Sequence, residues 1–172
     1  MKDWPAWLSS AHPEVIMEQA YFAAGCFWGV QQRFSRLPGV LETRVGYMGG
    51  CTQDPTYREV CSDSTGHAEA VEIVYDPARL DFATLLSCFF EWHDPTQVNR
   101  QGPDIGTQYR SAVFPVNDDQ RRISEEKIRA LNAGGFYSRP IATQIEPFAP
   151  FYPAEDYHQD YLDKRGLDHC GI

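Results

Sequence analysis

Paired cysteines are missing from this chain of 172 residues: Cys26, Cys51, Cys61, Cys88 and Cys170 include no C-x-x-C. Zinc sites draw their thiolates and imidazoles in close pairs, so no metal is expected. An odd number of scattered cysteines is equally unlike a secreted disulfide framework. Free thiols persist most readily in a reducing compartment, and a cytoplasmic location is expected. Basic runs are also missing, none being longer than Arg121-Arg122, and the net charge is -9. Phosphate-backbone binding rests on clustered Lys and Arg, so no nucleic-acid partner is expected. The longest mostly apolar stretch, Tyr21 to Val30, is far short of the roughly 18 residues that span a bilayer. The start, Met1-Lys2-Asp3-Trp4-Pro5, lacks a basic segment feeding an apolar run, so no leader peptide is expected. Repeats and low-complexity tracts are absent too.

The composition that remains, 42% hydrophobic and 23% charged, is that of a globular protein. One domain over residues 1–172 is expected, monomeric, with an irregular lead-in at 1–18 and a mobile tail at 165–172. Between them strands and helices alternate. Strands are expected at Gln19–Ala24, Val40–Tyr47, Gly66–Tyr75, Tyr109–Pro115 and Arg139–Glu146. Cys26–Leu37 carries Phe27, Val30, Phe34 and Leu37 at helical spacing. Asp54-Pro55 opens a short helix through Cys61. Asp81–Trp92 places Phe82, Leu85, Leu86, Phe89 and Phe90 on one helical face. Asn117 and Gln120 resemble a capping box for a helix ending near Gly134-Gly135, and a last helix is expected at Ala154–Lys164. This order fits an α+β, two-layer sandwich with a ferredoxin-like split βαβ core, extra loops and a C-terminal tail. A doubly wound parallel sheet is the alternative. The loop from His93 to Gln108 is long for a compact domain, which marks it as one wall of a site.

Cys26 follows a strand and a glycine and opens a helix. Helix N-termini carry partial positive charge and free N–H groups, which ease ionisation of a thiol to its reactive form. A free cysteine is as often a small buried hydrophobe, and position alone does not choose between the two. Trp28 lies about 100° around the helix from Phe27, off the packing stripe, where it forms an apolar plate beside the cysteine or lies partly buried under a loop. On the strand from Gly66, alternation puts Glu69 on the face of Val71, Ile73 and Tyr75. Desolvation there raises the pKa of a carboxyl; the bland alternative is a carboxylate reaching past the sheet edge.

Gly25-Cys26-Phe27-Trp28-Gly29 matches the signature pentapeptide of the methionine sulfoxide reductase A family. Further blocks follow in the family's order: Gly46-Tyr47-Met48-Gly49-Gly50, Pro55-Thr56-Tyr57, Thr65-Gly66-His67-Ala68-Glu69-Ala70-Val71, His93-Asp94-Pro95-Thr96, Asn99-Arg100-Gln101-Gly102-Pro103-Asp104, Gly106-Thr107-Gln108-Tyr109-Arg110-Ser111 and Phe151-Tyr152-Pro153-Ala154-Glu155-Asp156-Tyr157-His158-Gln159. The resemblance spans roughly residues 19 to 161. Met48 stands where a small residue is expected, a modest departure.

The resemblance implies thiol-dependent reduction of methionine S-sulfoxide, free or in proteins, with no cofactor. It implies Cys26 as nucleophile and Glu69 as proton donor to the sulfoxide oxygen. It singles out Tyr57 and Tyr109, among nine tyrosines, as hydroxyl donors to that oxygen. Phe27 and Trp28 resemble the walls that hold the substrate methyl, although Phe27 also falls on the packing stripe. Asp104 corresponds to a residue near the pocket, and is otherwise a turn-forming aspartate. Cys170 resembles the recycling thiol of a glycine-containing tail, with Cys51 the alternative; condensation with a sulfenic acid gives a disulfide that thioredoxin reduces. The remaining thiols, Cys61 and Cys88, are expected to be structural, and His67, His93 and His158 to serve in hydrogen bonding or capping. Three rivals keep the same residues: a cysteine hydrolase, which needs a histidine paired to Cys26, a non-catalytic module for oxidised methionine, and a peroxide-reducing thiol protein.

Overall fold

The computed structural model describes residues 16–168. Its strands are β1 (Glu18–Ala24), β2 (Val40–Met48), β3 (Ala68–Tyr75), β4 (Arg100–Gln101), β5 (Asp104–Ile105), β6 (Ser111–Val113), β7 (Gln144–Ile145) and β8 (Tyr152–Pro153). Its helices are α1 (Phe27–Ser35), α2 (Tyr57–Cys61), α3 (Phe82–Glu91), α4 (Asp118–Ala133) and α5 (Tyr161–Lys164). The main sheet runs β7-β6-β1-β3-β2-β8. β1 lies antiparallel between β6 and β3, and β3 antiparallel between β1 and β2. Each strand–helix–strand unit is thus split by a strand of the other. That is the ferredoxin-like core, and its antiparallel centre excludes a doubly wound parallel sheet. No helix among the described residues is long and apolar enough to cross a membrane.

The sheet's two faces are both covered. On the helix side Phe22, Val71, Ile73 and Tyr75 pack with Phe34, Leu85, Leu86 and Phe89. On the other side Tyr21, Ala23, Met48, Ala70 and Phe114 form a smaller cluster closed by Phe151. On α1 the buried face is wider than the apolar spacing indicates, because Gln31 and Gln32 are buried too. Their amides are satisfied: Gln31 by Thr43 and the Asp160 amide, Gln32 by Asp163 and the Leu167 carbonyl. A buried amide is tolerated when so bonded.

Four features differ from expectation, each for a bonding reason. α2 starts after Thr56, whose side chain and Glu59 form a full capping box; Asp54 instead takes a left-handed turn. Asn117 caps α4, but Gln120 bonds the Val116 amide and the Gln19 carbonyl rather than closing a box. The strand expected at Arg139–Glu146 shrinks to β7, because the Ile141 and Ala142 amides are taken by Asn132 and Pro95. The expected last helix is a 3-10 turn at Asp156–His158, a left-handed Asp160, and then α5.

The C-terminal segment acts as a strap over α1 and β2. β8 pairs with β2 at Gly46 and Tyr47, and Gln159 bonds both backbone groups of Val45. The described part of the expected mobile tail is fastened: Leu167 accepts from Gln32, and Asp168 pairs with Arg36. Cys170 lies outside the described residues. Pro153 is tolerated in β8 because that strand is at the sheet edge. Close approach of β8 requires Gly46: a Cβ there would stand 2.5 Å from the Tyr152 carbonyl oxygen and from the Phe151 ring. Gly46→Ala is therefore expected to cost about 1–3 kcal/mol by overpacking, read as a lower urea midpoint at unchanged slope.

Candidate active site

Gly25 turns the chain from β1 into α1 with φ +92°, and a Cβ on it would meet Gln101 at 2.7 Å. Only glycine suits both conditions. Cys26 is then the N-cap of α1 and makes no side-chain cap. It is half-buried, and its thiol is pushed up to about 12 by burial and, once Glu69 ionises, by that carboxylate; the Trp28 amide pulls down, Asp104 adds to the rise, and the Gly29 amide opposes it. This corrects the expectation of easy ionisation. The helix terminus supplies the N–H groups, but desolvation and two carboxyls outweigh them. The resting group is a thiol.

Glu69 sits on β3, in register with Tyr47 of β2, and only 2% of its surface is exposed. It faces the helix layer, as alternation predicts. Burial pushes its carboxyl up to about 8; the Phe27 amide opposes that, nearby Asp104 adds to it, and the Tyr109 hydroxyl opposes it. Its Oε2 is buried without a hydrogen-bond partner. A neutral carboxylic acid with an unengaged oxygen is thus held where a thiol also resides.

Tyr109 ends the 3-10 turn Thr107–Tyr109, and Tyr57 opens α2. Burial raises both phenols, with Glu69 raising them further. Both therefore remain protonated donors. Asp104, on β5, is partly buried, and its charge reaches Cys26, Glu69 and Tyr109. The long loop is a wall as expected, though not structureless: the β4–β5 hairpin and the 3-10 turn fill it. The clamp is Arg110, which binds Glu146 in a bidentate pair and donates to the Gly66 and Thr107 carbonyls.

Phe27 is buried, 5.9 Å from Tyr47 and 5.4 Å from His158 between ring centroids. Packing thus accounts for its ring. Trp28 is half-exposed, off the stripe, and its indole donates to His158 Nδ1 at 3.0 Å. Cys51 is exposed, with its thiol bonded to the Thr65 carbonyl; Cys88 is half-buried on α3. None of the histidines pairs with Cys26 among the described residues: His67 binds Gly50 and Thr52, His93 binds Phe89 and Ser111, and His158 binds Trp28. Among the described residues, no histidine is placed to serve as the base of a cysteine hydrolase.

One participant escaped the sequence reading. Glu155 accepts from the Tyr47 hydroxyl, the Tyr57 amide and the Tyr157 hydroxyl, so it seats α2. No local spacing signals it, because Tyr47 and Tyr57 lie far from it along the chain.

The family model described as peptide methionine sulfoxide reductase matches residues 18–172. The chain belongs to the peptide methionine sulfoxide reductase family. It is 52% identical over 161 residues to a protein from Methanoculleus marisnigri called peptide methionine sulfoxide reductase MsrA, covering 92% of this chain and 96% of that one. Among solved structures, methionine sulfoxide reductase A of Corynebacterium diphtheriae superposes with a TM-score of 0.79 at 42% identity, over 93% of this chain and 79% of that one. Mxr1 from Saccharomyces cerevisiae in reduced form gives 0.78 at 35%, over 90% and 89%. The chain is therefore an enzyme, an oxidoreductase of methionine sulfoxide.

The buried carboxyl has a thermodynamic signature. Its folded pKa, about 8, stands above the ordinary 4.5, so the folded state holds the proton more tightly. The stability this lends is complete below pH 4.5 and is lost as pH rises through about 8. Glu69→Gln, permanently neutral, is expected to gain stability over the parent between pH 5 and pH 9, on the order of a few kcal/mol. Urea melts at the two pH values read it; a pH-independent difference would contradict the shift.

Proposed function

We propose that this enzyme reduces the S epimer of methionine sulfoxide, free or in polypeptides, with Cys26 as nucleophile and Glu69 as general acid. The observation that carries the reading is a neutral, buried Glu69 with an unengaged oxygen near a helix-capping thiol. The Cys26 sulfur attacks the sulfoxide sulfur while Glu69 protonates the oxygen, which is otherwise a poor leaving group. Tyr57 and Tyr109 donate to the same oxygen as charge develops. The oxygen transfers to Cys26, methionine leaves with the electron pair, and the thiol proton restores Glu69. In sum a thiol and a sulfoxide become a sulfenic acid and a thioether, with no proton or electron unaccounted for. Trp28, with Phe27 behind it, offers the apolar wall for the methyl group, where sulfur near a ring gains roughly 0.3–1.5 kcal/mol. Asp104 supports Glu69 by keeping negative charge nearby, which favours its protonated form.

A second thiol then condenses with the sulfenic acid, releasing water and leaving a disulfide. Cys170 is proposed for that step, with Cys51 the alternative. A dithiol of the thioredoxin type reduces the disulfide; the yeast relative Mxr1 has been solved in complex with Trx2. A monomer acting in the cytoplasm fits this use of free thiols.

Separated S- and R-methionine sulfoxide peptides, with dithiothreitol as reductant, test the assignment. The parent is expected to reduce only the S epimer, Cys26→Ser neither, and Glu69→Gln the S epimer about 10²–10⁴-fold more slowly, the usual span for a lost general acid. Binding of both peptides without turnover by the parent would instead favour a non-catalytic module. For recycling, Cys170→Ser is expected to keep one fast turnover per enzyme but to lose cycling with thioredoxin; unchanged cycling would assign the step to another thiol.

A further inference from the structure

Trp28 is held from two sides by the C-terminal strap. Tyr161 stacks on it with ring centroids 3.8 Å apart and planes 4° from parallel. The Arg165 guanidinium lies 3.7 Å from the Tyr161 ring centroid. His158 stands at the indole N–H edge, with ring centroids 5.8 Å apart. The left-handed Asp160 lies between the two residues that reach this one indole. An indole N–H can only donate. Its bond to His158 Nδ1, at 3.0 Å, therefore needs the lone pair of a neutral imidazole whose proton is on Nε2. That Nε2 is buried and has no partner. Only 1% of His158 is exposed, and its ring also meets Phe27 at 5.4 Å and Tyr57 at 4.3 Å. One side chain thus touches both aromatic walls and one of the two phenols of the site.

We propose that His158 is the positioning residue that sets the plane of Trp28, and through it the wall against which the sulfoxide methyl rests. The proposal rests on the function proposed above only for the identity of that methyl. The lone pair at Nδ1 fixes where the indole edge points, and Tyr161 fixes its face. Without the acceptor, the indole keeps its stack but can rotate within it. Burial lowers the imidazole pKa and so preserves the accepting form, against a pull from Glu155. Because Nε2 bonds nothing, an asparagine can replace the histidine's polar function. Its Oδ1 stands where Nδ1 stands, and no second bond is lost.

The test uses the full-length enzyme labelled with ¹⁵N-tryptophan, in which Trp28→Phe identifies one of the four indole resonances. His158→Phe keeps ring volume and removes the acceptor; His158→Asn keeps the acceptor and removes the ring. The Trp28 indole proton is expected to move upfield and exchange faster in His158→Phe, and to stay near the parent position in His158→Asn. With an S-sulfoxide peptide, KM is expected to rise about tenfold in His158→Phe at a kcat within about twofold, and to remain within about threefold of the parent in His158→Asn, the scale of one neutral hydrogen bond. An indole resonance unmoved in His158→Phe would overturn the proposal. So would a His158→Asn protein as impaired as His158→Phe, since the ring's bulk would then be what matters. If the parent itself reduces no sulfoxide, the proposed function fails, while the resonances still decide whether His158 positions Trp28.

Discussion

A carboxyl group denied water is the constraint around which this protein is arranged. Glu69 cannot be ionised cheaply where it lies, because the sheet, α1 and the β4–β5 loop exclude solvent from it. The desolvation that keeps it protonated also keeps Cys26 a thiol. Burial therefore favours the neutral form of both groups. In the proposed reaction, each proton is one the chemistry uses, and charge develops only when the sulfoxide oxygen takes one of them. The site follows the general logic that environment, not residue type, fixes which group is the acid.

Holding such a pair requires that several elements meet without slack. Gly25 gives Cys26 its place at the head of α1, with Gln101 packed where a Cβ would be. Arg110 ties the start of β3 to the turn carrying Tyr109. Glu155 seats Tyr57, and His158 and Tyr161 seat Trp28. The last two ties belong to the strap, so the C-terminal segment serves the site as well as the sheet edge. The strap's cohesion comes largely from side chains bonding to distant backbone, as with Gln159 on Val45. Such bonds hold individual groups in place without adding a further layer of core.

Much of this was legible in the chain, and the failures share a cause. Helical spacing on α3 and strand alternation on β3 are local patterns, and they located the core and the orientation of Glu69. The ordered motifs singled out Cys26, Tyr57 and Tyr109, which the fold brings near Glu69. Where bonding is long-range, local pattern misled. Residues 139–143 carry no ladder because Asn132 and Pro95 take the Ile141 and Ala142 amides, and Pro140 has none to give. Residues 154–164 are not one helix because Asp160 turns left-handed to put Tyr161 on Trp28. Gln31 and Gln32 look like a polar flank until the strap covers them. The raised pKa of Cys26 was not legible for the same reason: a helix N-terminus is visible in sequence, but the burial that opposes it is a property of the assembled site.

Whether Glu69 is a neutral acid beside a thiol is tested most directly by carboxyl-¹³C NMR of glutamate-labelled protein. With Glu69→Gln to assign the signal, the Glu69 carboxyl is predicted to titrate at about 8, well apart from the other glutamates. A carboxyl that titrates in the ordinary glutamate range would mean the group is ionised at neutral pH, and the proposed proton donor would be gone.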